Sequence, residues 1–252
     1  MRDRIDFNAD LGESFGSWEK GADLELLKCV TSANVACGFH AGDPVTMDSS
    51  VSRVAENGLA LGAHPGYPDL LGFGRRRLEA NPVEINAYVT YQVGALLGFA
   101  IRHRLALHHV KPHGALYVAA LDDRPTADAI ASAVAALAPG AAIYTLPESE
   151  MWLAAEEASL RPVAEFFVDR PIRTDGSYDF FGWRDTFDLD PERVAARTVR
   201  ALTEARVQTL DGLDIAVMPE TICLHSDTPG AGILAVRIRE AIQSAGIKLV
   251  AA

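Results

Sequence analysis

The residues of this 252-residue sequence that are best suited to chemistry are one aspartate and four histidines, each close behind a short apolar run. They are Asp10, His40, His64, His113 and His225. Imidazole and carboxylate side chains are the usual general acids and bases of enzymes, so the set indicates acid–base hydrolysis. Cys37 lies close to His40, and we interpret it as a small thiol of the core rather than as a nucleophile.

Metal binding is a second use for the same residues. Asp10, His40 and His64 could ligate a divalent cation, because imidazole nitrogens and a carboxylate that leave one position open form sites that activate water. The helix-borne His-Glu-x-x-His arrangement does not occur in the sequence. Metal-dependent and metal-free hydrolysis therefore both stay open at this point.

The apolar runs in front of these residues predict β-strands. The candidate strands are Ile5–Asn8, Ala33–Cys37, Ala60–Ala63, His109–Lys111, Ala142–Leu146, Val163–Val168, Ile215–Val217, Thr221–Leu224 and, as a further edge strand, Lys248–Val250. Helical patterns separate most of them, which indicates parallel strands joined by crossover helices.

Capping residues mark the helices between the strands. Asp43-Pro44 predicts a helix to Asn57, with Asp43 as its N-cap. Asn81 with Glu84 has the spacing of a capping box and predicts a helix to about Arg104. Asp190-Pro191 predicts another helix to about Ala205, a shorter helix follows Pro147, and 127–137 and 232–244 have amphipathic patterns.

We therefore predict a single α/β domain over residues 1–252, a distorted or incomplete (β/α) barrel. No Gly-rich loop follows an early strand as in a Rossmann fold, and the chain has no Gly-Lys dipeptide and hence no P-loop. In a parallel barrel the carboxyl ends of all strands lie on one face, where catalytic residues gather. The five acid–base residues should meet there.

Composition limits the function classes. The net charge of −11 disfavours nucleic-acid binding. Three cysteines without a Cys-x-x-Cys spacing fit a reducing compartment. The sequence begins without the apolar region of a signal peptide and contains no membrane-length apolar stretch, so we expect a cytoplasmic protein. A homo-oligomer is compatible with the sequence.

Long motifs resemble the LamB/YcsF family over nearly the whole chain. The motifs are residues 8–13 (NADLGE), 32–43 (SANVACGFHAGD), 62–66 (GAHPG), 109–117 (HVKPHGALY) and 223–225 (CLH). Members of this family are described as the A component of the prokaryotic 5-oxoprolinase. The resemblance implies a distorted (β/α) barrel of the glycoside hydrolase/deacetylase type and ATP-dependent opening of 5-oxo-L-proline to L-glutamate. It also implies two partner subunits, B and C, and without a P-loop in this chain we expect them to handle ATP.

Role assignments follow as hypotheses. Asp10 or His64 would activate water, and His113 and His40 would act as acids or oxyanion partners. Lys111 would hold a phosphate or the substrate carboxylate, and Arg170 would clamp a carboxylate bidentately. The remaining candidates for substrate or phosphate binding are Glu13, Asp43, Asp169 and His225.

One segment departs from the family pattern. Residues 172–184 keep Asp175-Gly176 but place Ile172 where an aromatic residue is expected, and they lack the usual arginine and Gly-Ala pair. The aromatic residues there could form a lid, a different pocket or a contact with a partner subunit. Two other functions therefore stay open: a stand-alone metal-dependent deacetylase or amidohydrolase, and a non-catalytic subunit that binds a metabolite.

Overall fold

A computed structural model describes residues 3–183 and 187–252, and its centre is a closed barrel of parallel strands. Arg184, which belongs to the divergent segment, lies outside the described residues. The strands are β1 (Arg4–Leu11), β2 (Ser32–Ala36), β3 (Ala60–His64), β4 (Leu107–Val110), β5 (Ala142–Thr145), β6 (Arg161–Phe167), β7 (Arg206–Gln208), β8 (Asp214–Ala216), β9 (Thr221–Leu224) and β10 (Lys248–Leu249).

Seven of these strands form the barrel, in the order β1-β2-β3-β4-β5-β6-β9. The barrel closes because β1 pairs in parallel with both β2 and β9, so that Asp10 lies opposite Asn34 and Asn8 lies opposite Cys223. The usual (β/α) barrel has eight strands. This barrel has seven, which confirms the prediction of a distorted or incomplete (β/α) barrel.

Helices cover the outside of the barrel. They are α1 (Asp23–Leu26), α2 (Pro44–Glu56), α3 (Pro82–Arg102), α4 (Gly114–Asp122), α5 (Arg124–Leu137), α6 (Glu150–Glu157), α7 (Pro191–Thr203) and α8 (Ala231–Ser244). The predicted caps are present: Asp43 accepts hydrogen bonds from the backbone of Val45 and Thr46, and Asn81 forms the capping box with Glu84. Two helices, α1 and α4, were not predicted.

A strand is present near the predicted Ile215–Val217, but it is not one of the parallel strands of the barrel. The strand in this region, β8, lies outside the barrel and pairs antiparallel with β7. The connection between them spans only residues 209–213, and such a short loop joins antiparallel strands but cannot cross over to a parallel one. The edge strand at the end of the chain is confirmed, since β10 pairs with the start of β1.

The side chains of β1 alternate between two environments. Ile5 and Phe7 pack in the hydrophobic core under the helices, whereas Asp6, Asn8 and Asp10 point into the barrel. The interiors of such barrels are usually filled by branched apolar side chains. This barrel instead holds a polar network inside, and that network supports the residues at the carboxyl ends of the strands.

Asp6 anchors the bottom of this interior network. Its Oδ1 accepts hydrogen bonds from the hydroxyls of Thr31 (2.6 Å) and Ser32 (2.7 Å), and its Oδ2 accepts from Tyr144 (2.9 Å) and Thr221 (2.6 Å). Both oxygens of this buried carboxylate are therefore satisfied.

Asn34 extends the hydrogen-bond network toward the carboxyl ends of the strands. Its amide donates to Asn8 Oδ1 at 2.8 Å and to Asp10 Oδ1 at 2.9 Å, and its own oxygen lies 2.6 Å from Nε2 of His109. The ring of His109 fits only because Gly62 faces it, since a Cβ on Gly62 would overlap the imidazole. A continuous chain of hydrogen bonds thus joins the bottom of the barrel to Asp10.

Candidate functional site

The carboxyl ends of the barrel strands enclose a cavity that contains most of the predicted residues. Asp10, His64, Lys111, His113, Arg170 and His225 line it together with Arg75, Tyr117, Phe167, Phe180 and Phe181. Because the strands are parallel, their ends bring together residues as distant in sequence as Asp10 and His225. The predicted convergence of Asp10, His40, His64, His113 and His225 is therefore observed, with His40 behind the cavity wall.

His64 and His113 face each other across the mouth of the barrel. Nδ1 of His64 lies 2.7 Å from the carbonyl oxygen of Lys111, and Nε2 of His113 lies 2.8 Å from that of Phe73. A carbonyl oxygen only accepts, so each of these nitrogens carries the ring proton. The two remaining nitrogens, Nε2 of His64 and Nδ1 of His113, are 2.9 Å apart.

His40 lies directly against this pair. Its ring stacks on His113 with centroids 3.7 Å apart and planes 1° apart, and its Nε2 is 3.5 Å from Oε1 of Glu13. The same oxygen is 3.5 Å from Nδ1 of His113. Glu13, His40, His64 and His113, which we call the histidine cluster, are all buried, with donor atoms within 4.8 Å of one another.

Two glycines leave room for these rings. A Cβ on Gly66 would lie 2.7 Å from Nδ1 of His40, and one on Gly74 would lie 2.8 Å from both His40 and His113. Gln92 of α3 holds Gly66 in place through hydrogen bonds to its N–H and C=O, each 2.9 Å long. Gln92 was not predicted, because its role depends on a contact between distant segments.

Burial sets the protonation preferences of the histidine cluster. It lowers the pKa of His40 and of His113, in each case with the help of a neighbouring histidine. Burial and the charges of Asp10 and Asp227 raise the pKa of Glu13 to about 7. His40 and His113 are therefore neutral imidazoles near neutral pH.

Lys111 lines the cavity, as predicted, and also contacts three buried side chains of the barrel. Its Nζ lies 3.2 Å from Asp10 Oδ1, 3.1 Å from Glu165 Oε1 and 2.8 Å from Cys223 Sγ. The contacts with Asp10 and Cys223 are hydrogen bonds, and the contact with Glu165 is an ion pair. A phosphate or a substrate carboxylate would therefore have to compete with partners that Lys111 already has. Burial opposes its charge, yet Asp10, Cys223 and Glu165 keep its pKa well above the ordinary value.

Asp10 is ionised as a consequence. Burial alone would raise its pKa, but the ammonium of Lys111, 3.2 Å from Oδ1, holds it well below the ordinary range. Oδ1 receives bonds from Asn34 and Lys111, and Oδ2 points toward Nε2 of His225 at 3.9 Å. Asp10 thus connects the interior network to the cavity.

Asp169 and His225 form a pair on the opposite side of the cavity. Nδ1 of His225 lies 3.1 Å from Asp169 Oδ1, so the ring proton is held there and Nε2 carries the free lone pair. Asp169 also accepts from Arg170 Nη1 at 2.8 Å and from the hydroxyl of Thr228. Burial opposes the charge of Asp169, but Arg170 and His225 lower its pKa. Both residues were predicted in the site, but their pairing was not.

The loop that carries Asp169 and Arg170 is fixed from outside the barrel. Arg197 of α7 donates hydrogen bonds to the carbonyl oxygens of Phe167, Val168 and Arg170, each 3.2 Å long. Arg170 itself is buried under Trp183, whose ring lies 4.2 Å from its guanidinium carbon. No signal in the sequence distinguishes Arg197 from any other polar residue of an amphipathic helix.

Asp43 does not join the site. Its carboxylate caps α2 and also accepts the hydroxyl of Thr46 and the N–H of Gly16, which lower its pKa to about 2. Of the arginine run that follows Gly74, only Arg75 reaches the cavity, where it pairs with Asp227 at 2.9 Å.

Neither Cys37 nor Ser14 is placed as a nucleophile. Cys37 is buried, its Sγ contacts the carbonyl of Val35 at 3.1 Å, and burial raises its pKa to about 12. Ser14 lies in a Gly-x-Ser-x-Gly string, but its hydroxyl accepts the N–H of Lys20 at 3.0 Å and no helix follows it directly. The strand–turn–helix setting of a nucleophilic serine is therefore missing there.

The divergent segment forms one wall of the cavity. Phe180 and Phe181 line it, and Phe180 packs edge-to-face on Phe167 with centroids 5.1 Å apart. Tyr178 is buried against Phe167 at 5.1 Å. These aromatic residues give the otherwise polar cavity an apolar side.

The arrangement supports proton transfer and metal binding in separate places. The Asp169–His225 pair offers an oriented base that faces the cavity, whereas the histidine cluster brings four potential ligand atoms within 4.8 Å of one another. Of the predicted metal ligands Asp10, His40 and His64, Asp10 Oδ1 lies 3.4 Å from Nε2 of His64. The set with all ligand atoms within 4.8 Å of one another, however, combines His40 and His64 with Glu13 and His113.

Comparison with known proteins assigns the chain to a family. Residues 5–252 match the LamB/YcsF family. A protein of Syntrophobacter fumaroxidans, named as the A component of 5-oxoprolinase, is 46% identical over 248 residues, which is 98% of each chain. One of the same name from Thermus thermophilus is 45% identical over 246 residues, again 98% of each.

Two solved structures share the fold. The crystal structure of a lactam utilization protein from Thermus thermophilus is 44% identical, covers 99% of this chain and 100% of its own, and has a TM-score of 0.94. A putative cellobiose-phosphate cleavage protein from Enterococcus faecalis has a TM-score of 0.55 at 14% identity, with 99% and 97% covered, and is similar in fold alone. The match over almost the whole length shows that this chain belongs to the LamB/YcsF family.

Proposed function

We propose that this chain is the lactam-opening component of a 5-oxoprolinase, which hydrolyses the cyclic amide of 5-oxo-L-proline to give L-glutamate. The names of its full-length relatives support this proposal. The observation that carries the chemistry is the Asp169–His225 pair: a carboxylate holds one ring nitrogen and leaves the other free toward the cavity.

The residues that line the cavity offer each part of such a substrate a partner, and the cavity, about 30 Å³ in this structure, would have to widen to admit it. The Phe180 and Phe181 side chains match the apolar edge of the lactam ring, and the arginines Arg75 and Arg170 provide positive charge for its carboxylate. Neither arginine is free in this structure, because each already pairs with an aspartate. Binding would add the substrate carboxylate to these pairs.

Hydrolysis needs a water between His225 and Asp10. Nε2 of His225 and Oδ2 of Asp10 are 3.9 Å apart, and a water that contacts both would be oriented and deprotonated by the imidazole. The water oxygen would attack the lactam carbonyl carbon, the C–N bond would break, and the nitrogen would take up a proton to become the amine of glutamate. Asp10 would stabilise the imidazolium that forms in between.

ATP and the partner subunits B and C enter the proposal at the activation step. An unstrained amide is a weak electrophile, and phosphorylation of the lactam oxygen would make the carbon easier to attack. The absence of a P-loop from the sequence supports nucleotide binding by the partners. This chain would then receive the activated lactam. Addition of water and cleavage of the C–N bond would give an acyl phosphate of glutamate, and a second water would release inorganic phosphate and L-glutamate.

The test is ATP-dependent release of glutamate from 5-oxoproline by the reconstituted three-subunit enzyme. Asp10→Asn and His225→Gln should each lower turnover by about 10²- to 10⁴-fold, the usual contribution of general acid–base catalysis. His103→Ala is the control, because His103 pairs with Asp48 far from the cavity. Near-normal turnover in either site variant would remove that residue from the mechanism.

Two alternative functions give other results. A non-catalytic, metabolite-binding subunit predicts that the site variants change substrate affinity or assembly and leave the chemical step unchanged. The histidine cluster favours a stand-alone metal-dependent amidohydrolase as a second candidate. That function predicts glutamate release by this chain alone, without ATP, and loss of that activity after chelation.

A further inference from the structure

The histidine cluster has more lone pairs than hydrogen-bond donors. The protons of His64 and His113 are held by the carbonyl oxygens of Lys111 and Phe73, so the two nitrogens that face each other at 2.9 Å both present lone pairs. Two lone pairs at this distance repel unless a positive charge lies between or beside them. Histidines that bind metals characteristically have the other ring nitrogen held by a carbonyl or carboxylate in this way.

His40 and Glu13 also have buried polar atoms that lack hydrogen-bond partners among the described residues. Among residues 3–183 and 187–252, no protein group forms a hydrogen bond with either ring nitrogen of His40 or with Oε1 of Glu13, although all three atoms are buried. Buried polar atoms are normally satisfied. Oε2 of the same Glu13 accepts the hydroxyl of Ser226 at 3.0 Å, so the carboxylate is fixed while one oxygen still faces the histidines.

We propose that Glu13, His40, His64 and His113 bind one divalent first-row transition-metal cation. A proton shared by His64 and His113 would relieve the repulsion of that pair but would leave His40 and the Glu13 oxygen without a partner. A single cation is attracted by all four. This proposal concerns binding by the chain itself and does not depend on the proposed function.

The donor types select the class of cation. Three imidazoles and one carboxylate suit zinc, cobalt or nickel, whereas magnesium and calcium prefer sites made of oxygen atoms alone. The stacked planes of His40 and His113 cannot both contain one ion, so one ring must tilt on binding. His40 is the ring that can do so, because no hydrogen bond from the described residues holds it.

A second group of donors nearby is a weaker candidate. Asp10, Cys223 and His225 also lie close together. Lys111, however, contacts both Asp10 and Cys223, and its ammonium charge would repel a cation there. This difference makes the two groups separable by experiment.

The experiment is titration of the purified, chelator-treated chain with Zn²⁺ alone by calorimetry, and with Co²⁺ followed by visible absorption. We expect one site per chain and ligand-field bands typical of nitrogen–oxygen coordination. His40→Ala and Glu13→Gln should weaken binding at least tenfold, while the matched controls His103→Ala and His225→Ala should keep it. Far-ultraviolet circular dichroism identifies any variant that fails to fold.

Several outcomes would overturn the proposal. The first is the absence of saturable binding, which would indicate that water or a proton fills the cluster. The second is wild-type affinity in the His40→Ala and Glu13→Gln variants, and the third is loss of binding in His225→Ala. The chain is tested here without partners, ATP or 5-oxoproline. A failed titration therefore leaves the proposed lactam hydrolysis intact, and a failed glutamate assay leaves the metal site intact.

Discussion

The bottom of the barrel interior, around Asp6 and Asn34, and the mouth of the barrel are both buried and polar, but they differ in how their hydrogen bonds are satisfied. Inside, the carboxylate of Asp6 receives four hydroxyl groups, and the amide of Asn34 binds an acceptor with each of its protons. At the mouth, His40 and one oxygen of Glu13 have no hydrogen-bond partner among the described residues. A satisfied network fixes a structure, whereas unsatisfied groups indicate a place where a ligand contributes the missing partners.

The largest expected effect on stability comes from breaking the interior network. Asp6→Asn should lower the free energy of unfolding by about 3 kcal/mol, because two hydroxyl donors would face an amide N–H₂ group instead of a carboxylate oxygen. Urea unfolding at 25 °C measures the change. Tyr144→Phe, which removes one of the four donors, should cost about 1 kcal/mol. A loss below about 1 kcal/mol in Asp6→Asn would contradict the view that this network stabilises the barrel.

A smaller effect is expected for the predicted site residue that proved to be a helix cap. Asp43→Ala should cost about 1 kcal/mol and leave glutamate formation unchanged, while Asp43→Asn keeps the cap and most of the stability. Hydrogen bonds lower the folded-state pKa of Asp43 from 3.8 to about 2, so its charge stabilises the fold above about pH 4 and that contribution is lost as the pH falls from about 4 to about 2.

Thermal unfolding at several pH values tests this assignment. The difference in melting temperature between the wild-type chain and Asp43→Asn should shrink between about pH 4 and about pH 2. A fall in turnover for Asp43→Ala, with stability unchanged, would return Asp43 to the active site.

The smallest expected effect on the free energy of unfolding comes from a substitution at the mouth of the barrel. Glu13→Gln in metal-free buffer should change the free energy of unfolding by less than about 0.5 kcal/mol, because the lost oxygen has no donor among the described residues and Gln can still accept from Ser226. Urea unfolding of this variant beside Asp6→Asn compares the two regions directly. A loss of about 2 kcal/mol or more would mean that Glu13 serves the fold as Asp6 does.

Much of this architecture could be predicted because it rests on local signals. The caps at Asp43, Asn81 and Asp190 predicted helix starts to within a residue, and the polar residues behind apolar runs predicted the mouth. The alternation of those short runs with helical patterns also indicated the barrel. Helix α4 was missed because it begins directly after His113, where no capping side chain marks its start.

The pairings inside the site could not be predicted, because they depend on which way each strand faces and how it is registered. Lys111 was expected to bind an anion, and its contacts with Glu165 and Cys223 inside the barrel were not predicted. Asp169 and His225 meet only because β6 and β9 are neighbours. Sequence order gives no indication of such contacts between strands.

The strand order also has a consequence for how the protein is made. The histidine cluster lies at or just beyond the carboxyl ends of the first four strands, which are neighbours in the barrel. All four of its residues, Glu13, His40, His64 and His113, are therefore among the first 113 residues to leave the ribosome. Asp169 and His225 come much later, and they reach the cavity only when β9 joins β1 and β6 to close the barrel. A domain folds as a unit, and Glu13 is held by Ser226 near the end of the chain. The complete site is therefore expected only after the last barrel strand has been synthesised.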